Sequence, residues 1–263
     1  MRAYWAYFSA RFRQLLQYRA AAIAGFGTQL FWGFIRVMIF GAFYAASTRP
    51  MPMTYQEVVS YVWLGQAMLM LIPWSVDAEL FQMIRTGNVA YELLRPLDLY
   101  GVWYARSMAL RTAPTLLRSV PMLVLAGLFF GLQAPPSVAS GASWVIATVC
   151  AALLASAIST VVTISLMWTV AGDGVRLFMG SAVMLCSGLI VPLPLFHGWA
   201  QPVLNALPFR HVMDTPFRLY MGHIPAAQAP FIIAQQVAWT AALVLVGRYL
   251  MARGVRRLAI QGG

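Results

Sequence analysis

Residues 77–98, DAELFQMIRTGNVAYELLRPLD, interrupt a chain made mostly of long apolar runs, and their reading decides how the rest is arranged. The window holds four of the seven acids, Asp77, Glu79, Glu92 and Asp98, together with Arg85 and Arg95. Acids at the start and Arg85 near the end suit the dipole of a short helix. Leu80, Phe81 and Ile84 fall on one face of it. Gly87 fits the position just past its end, where a positive φ is taken without a Cβ penalty. Asn88 is placed to cap a second helix whose apolar side is Val89, Ala90, Leu93 and Leu94. Pro96 stops that helix by disfavouring helical geometry at Arg95. A plain connector between membrane spans needs neither caps nor amphipathic faces. The stretch reads as a surface that another protein grips, with Phe81, Ile84, Arg85, Gly87, Asn88, Val89, Tyr91, Leu93 and Arg95 as its contact residues.

The sequence around it is that of a membrane protein. Of 263 residues, 61% are hydrophobic and 10% charged, against about 25% charged in a soluble domain. The chain therefore reads as an all-α integral membrane protein with spans of roughly 20 residues. The net charge is +11, and all 18 basic residues are arginine. Such charge fits cytoplasmic flanks and lipid headgroups. No basic stripe with interleaved aromatics marks a nucleic-acid groove. Without lysine there is no Walker A loop and no Schiff base. Cys150 and Cys186 lie in apolar runs and supply neither a zinc site nor a disulfide framework. Residues 1–18 spread Arg2, Arg11 and Arg13 among aromatics, which is unlike a cleavable signal peptide. They read as an interfacial helix on the cytoplasmic leaflet.

Six spans are expected, at residues 20–46, 57–76, 100–132, 143–170, 175–195 and 229–252, within a single transmembrane domain covering 1–263. Pro114 and Pro121 should kink the third span. Arg106, Arg111 and Arg118 should snorkel toward its cytoplasmic side. Ala171–Gly174 reads as a tight inner turn. Residues 197–220 are too polar to span and read as short helices dipping into the outer leaflet. One side of this topology carries twelve arginines and the other Arg49, Arg210 and Arg218. The positive-inside rule then puts both termini and the 77–98 loop in the cytoplasm.

Little chemistry is present. His197, His211 and His223 match no metal motif, and no catalytic constellation stands out: Ser187 has no histidine in an apolar span to serve as its base. Arg36 is the one charge deep within a span, where an ionisable group faces a partner or a wet path. Glu57, at the outer start of the second span, is its expected ion-pair partner. A self-sufficient secondary carrier would need coupling acids at mid-membrane, and none of the seven is expected there.

The order of elements and two motifs resemble a known family. One motif is Ile84-Arg85-Thr86-Gly87-Asn88 followed by Leu93-Leu94-Arg95-Pro96-Leu97. The other is Pro192-Leu193-Pro194-Leu195-Phe196 with Leu207-Pro208-Phe209, Pro216 and Leu219-Tyr220-Met221-Gly222. In these the chain resembles the permease subunits of ABC-2 type ABC transporters, particularly the six-span bacterial permeases. The resemblance implies a coupling helix in residues 77–98 and a pair of re-entrant helices between spans five and six. It implies two cytoplasmic ATPase subunits that carry the ATP and Mg, no cofactor in this chain, and a second permease chain, identical or homologous. It implies export across the bacterial inner membrane. From the residues themselves, Arg36 and Glu57 are expected in an inter-span ion pair or on the translocation path.

Overall fold

A computed structural model describes residues 2–169 and 173–261, and the described residues form helices without a strand. In chain order these are α1 (Arg2–Leu16), α2 (Arg19–Ala46), α3 (Tyr55–Ala67), α4 (Ala78–Arg85), α5 (Val89–Leu93) and α6 (Leu99–Phe129). There follow α7 (Val138–Ser165), α8 (Asp173–Cys186), α9 (Gln201–Ala206), α10 (Asp214–Tyr220) and α11 (Ala229–Gln261).

Four stretches are long and apolar enough to cross a membrane: α2, α6, α7 and Ala226–Arg256, which takes in most of α11. The helices expected at 57–76 and 175–195 are shorter. The second stops at Ala67, makes a 3-10 turn at Leu69–Leu71, and runs without helix from Ile72 to Asp77. The fifth ends at Cys186, just before Gly188 at φ +88°. The expected turn at residues 171–174 lies largely outside the described residues. α6 runs unbroken through Pro114 and Pro121.

Local sequence explains several helix starts. Thr54 and Glu57 form a reciprocal capping box on α3. Ser137 caps α7 by accepting from Ser140 N, so this helix begins ahead of the expected Ser143. Asp98 caps α6 by accepting from Gly101 N. α7 is rich in Ala, Ser and Thr; these small side chains are buried and let α6, α10 and α11 close around it. The main core joins Tyr61, Trp63, Leu64 and Ile72 to Met122 of α6, Leu154 of α7 and Phe217 of α10. Residues 197–220 do form short helices, and α10 is buried against α7.

α1 packs along the start of α6 rather than lying free. Its Tyr4 hydroxyl accepts from Asp98 N at 3.2 Å, and the Tyr4 ring fits against Gly101, which has no Cβ to obstruct it. A neighbouring face stacks Trp5, Phe8 and Phe12, with Trp5 exposed. The helix thus has a tyrosine face toward the protein and a Trp/Phe face suited to a membrane interface.

Candidate functional site

The 77–98 stretch folds as two short helices. Asp77 caps α4, accepting from Glu79 N at 3.0 Å and Leu80 N at 3.5 Å. Gly87 lies just past the end of α4 at φ +75°. A Cβ there would meet nothing within 4 Å, so the backbone angle alone calls for glycine. Asn88 precedes α5 without a side-chain cap. It already has helical angles (φ −65°, ψ −8°), whereas a capping side chain works from extended backbone.

The apolar side of the stretch is not the open face expected from its sequence. Leu80 and Val89 are fully buried with Leu99, Val102 and Trp103, and Ile84 and Tyr7 pack onto the same cluster. Val89 is therefore unavailable to a partner. The outward edge consists of Arg85, Gly87, Asn88, Tyr91, Leu93, Leu94 and Arg95. Tyr91 is 71% exposed and Leu94 81%. Phe81 is half-buried, with the Arg85 guanidinium 5.6 Å from its ring centre.

Four charges clamp this loop to its neighbours. Arg11 of α1 reaches Glu79 at 2.8 Å and Asp77 at 3.4 Å. Arg106 of α6 reaches Asp77 at 3.1 Å and Glu79 at 2.5 Å. Arg106 thus turns to the loop instead of snorkelling to water. Burial alone would raise the Glu79 carboxyl, but hydrogen bonds from Arg11 and Arg106 prevail and hold it below the usual carboxylate range. Arg95 adds bonds to the Tyr7 hydroxyl at 2.6 Å and to Glu92 at 3.2 Å. Two acids with two arginines, shared among α1, α4 and α6, make these elements a single mechanical unit.

Arg36 and Glu57 do not pair. Arg36 Nη2 donates to the carbonyl of Leu189 and, at 2.8 Å, to that of Ile190. Glu57 Oε1 lies 2.7 Å from His223 Nε2, while its Oε2 accepts from Thr54. The reason is local: the capping box holds Glu57 at the first turn of α3, and the chain beyond α8 needs donors for its exposed carbonyls. Arg111 has a parallel role. It donates to the carbonyls of Ile72, at 2.8 Å, and Ser75, and to Ser159 Oγ at 3.2 Å. It is 2% exposed, so it does not snorkel.

Arg36 also borders a cavity of about 770 Å³ between α2, α3 and the end of α8. The lining is mostly apolar, including Trp32, Ile39, Phe43 and Leu189, with Gln29 and Gln66 as further polar members. Among the described residues no carboxylate comes within 4 Å of Arg36. No group of three His, Cys, Asp or Glu among them is placed to hold a metal ion.

The family model described as "ABC-2 family transporter protein" matches residues 30–262, from within α2 almost to the end of the chain. The chain belongs to the ABC-2 transporter family. Searches of curated proteins and of solved structures found no match.

As an ABC-2 membrane protein it is a multi-pass transporter component of a family that typically lacks a nucleotide-binding site and works with ATPase partners. Two features of this ABC-2 chain escaped the reading of its sequence. The Arg11–Asp77–Glu79–Arg106 cluster draws on three separate elements. Asp214, expected in a polar outer segment, is fully buried and accepts from the Tyr61 hydroxyl at 3.1 Å. Arg210 and Arg218 balance it, each at 3.9 Å, which makes it an anchor of α10. Glu57 left a readable trace: Thr54-Tyr55-Gln56-Glu57 is the S/T-x-x-E signature of a capping box.

Proposed function

We propose that this chain is one permease subunit of an ATP-driven exporter in the bacterial inner membrane. It crosses the membrane six times, α3 and α8 completing the set begun by the four long helices. Both termini are cytoplasmic, as the twelve-to-three arginine imbalance favours. Two copies of a separate ABC ATPase hold the ATP and Mg and dock on the 77–98 loop. A second permease chain covers the apolar side of α2 and α8, where Met38 and Phe178 are each 72% exposed. Arg36 and its cavity lie on the translocation path, while Glu57 secures the outer end of α3.

The carrying observation is the exposed Tyr91/Leu94 edge on a loop clamped to α1 and α6 by Arg11 and Arg106. Large apolar anchors dominate protein interfaces, and a clamped loop passes a push to the helices it joins. Single cysteines at Asn88, Tyr91 and Val89 test this in the assembled complex. Crosslinks to the ATPase are expected from Asn88→Cys and Tyr91→Cys and not from buried Val89→Cys. If neither exposed position crosslinks in any nucleotide state, while other cysteines on the same membrane side do, the docking assignment is wrong.

A further inference from the structure

The cavity beside Arg36 has a chemistry that points to its occupant. Its α2 wall runs from Thr28 to Phe43, roughly 22 Å at the helical rise. Most of that wall is aliphatic or aromatic. Gln29 is 2% exposed and lines the cavity, yet neither its amide nitrogen nor its oxygen has a partner among the described residues. The Gln66 oxygen, also on the cavity, has none either. Buried amides left unpaired carry a desolvation cost, which a bound polar head would remove.

Arg36 carries more than its structural role needs. Holding two carbonyls takes two N–H groups, and a neutral amide has them. This chain uses that solution twice: Gln201 donates to Leu193 and Phe196 carbonyls, and Gln236 to those of Ala147 and His211. At Arg36 the protein instead places a full positive charge with no carboxylate nearby. Only Nη2 is engaged, so Nε and Nη1 have no acceptor among the described residues. An uncompensated cation on an apolar cavity calls for an anion attached to something apolar.

Depth separates cargo from resident lipid. Arg36 lies ten residues from Ala46, the nearer end of α2, about 15 Å along the axis. That is roughly half of the ~30 Å hydrocarbon thickness. A bilayer lipid keeps its head at the interface, so an anionic head held at Arg36 belongs to a molecule in passage. We infer that the cavity takes an anionic amphiphile as the transported species, its head on Arg36 and Gln29 and its aliphatic chain along Ile39, Phe40 and Phe43. This rests on the permease reading and names the substrate class.

The full-length chain in uncharged detergent is titrated with a brominated fatty acid and with its uncharged methyl ester. Quenching of Trp32 is read as the difference from Trp32→Phe. We expect saturable binding of the acid at least tenfold tighter than the ester. Arg36→Gln, which retains the carbonyl donors, should bring that ratio close to one. Gln29→Leu, remote from the carbonyl caps, should weaken the acid severalfold with the chain still folded. Equal affinities in the wild type, or an undiminished preference in Arg36→Gln, would overturn the assignment. So would a cavity that neither probe enters while Ile39→Cys forms a disulfide between two copies, because a second chain then fills it. In proteoliposomes with the ATPase, turnover should release the quenching; a probe that stays quenched throughout is a resident lipid and also overturns it. Crosslinking at Tyr91 is independent of all these readings, so the permease assignment can stand if the substrate class falls.

Discussion

Arg111 and Arg36 support the two short helices in the same manner and in opposite surroundings. Each reaches across from a long helix to the carbonyls left open where a short one ends: Arg111 to residues 72 and 75 after α3, Arg36 to residues 189 and 190 after α8. Non-helical backbone at membrane depth needs such donors, since no water is there to supply them. Arg111 is sealed, with a third bond to Ser159. Arg36 has two acceptors and an open cavity on its other side. One chemical device thus serves as a rivet in one place and as the border of an open cavity in the other. The difference lies in what fills the remaining space.

The largest effect should come from removing the rivet. Arg111→Met strands the buried Ile72 carbonyl, at about 1–3 kcal/mol, and the part-buried Ser75 carbonyl, and we expect a loss of folded protein in membranes and a sharply lower unfolding temperature in detergent. Arg36→Gln should invert this pattern: an unfolding temperature close to wild type, with transport in proteoliposomes reduced at least tenfold. If the two variants lose stability equally, the contrast between them collapses.

A double-mutant cycle is a finer probe. Arg36 and Glu57 share no partner, so the stability losses of Arg36→Ala and Glu57→Ala should add within about 0.5 kcal/mol. Glu57→Ala alone should lower stability measurably, because it removes the N3 half of the α3 capping box and the His223 contact. The smallest effect concerns Glu79, whose carboxyl is held below the usual range and is itself half-exposed. A lowered carboxylate contributes stability fully above the ordinary value of about 4.3 and loses it as pH falls through the native value. The stability gap between wild type and Glu79→Gln should thus be constant from neutral pH down to that range, then close below it.

The two arginines also mark how far the sequence could be read. Local signals were legible: the cap at Asp77, the positive φ at Gly87 and the stop at Pro96 involve neighbours within one turn. The four long apolar runs were legible because hydrophobicity accumulates over many residues. The partners of Arg36 were not. A carbonyl is present at every position, so nothing in residues 189 and 190 announces an acceptor, and the eye goes to the nearest acid, Glu57. The covered face of the 77–98 loop was hidden for a related reason. Val89 looks available until α1 and α6 arrive from 80 or more residues upstream and ten or so downstream, a meeting that only tertiary packing decides.

The brevity of α3 and α8 has a consequence for the membrane itself. With 13 and 14 residues, they measure about 20 Å along their axes, a third less than the ~30 Å oily layer they face. Both border the same cavity, through Gln66 and Met184. Lipid meeting a wall that is too short thins to match it. On this flank the barrier between the two aqueous phases would be narrowed by the protein's own shape, with no conformational change needed.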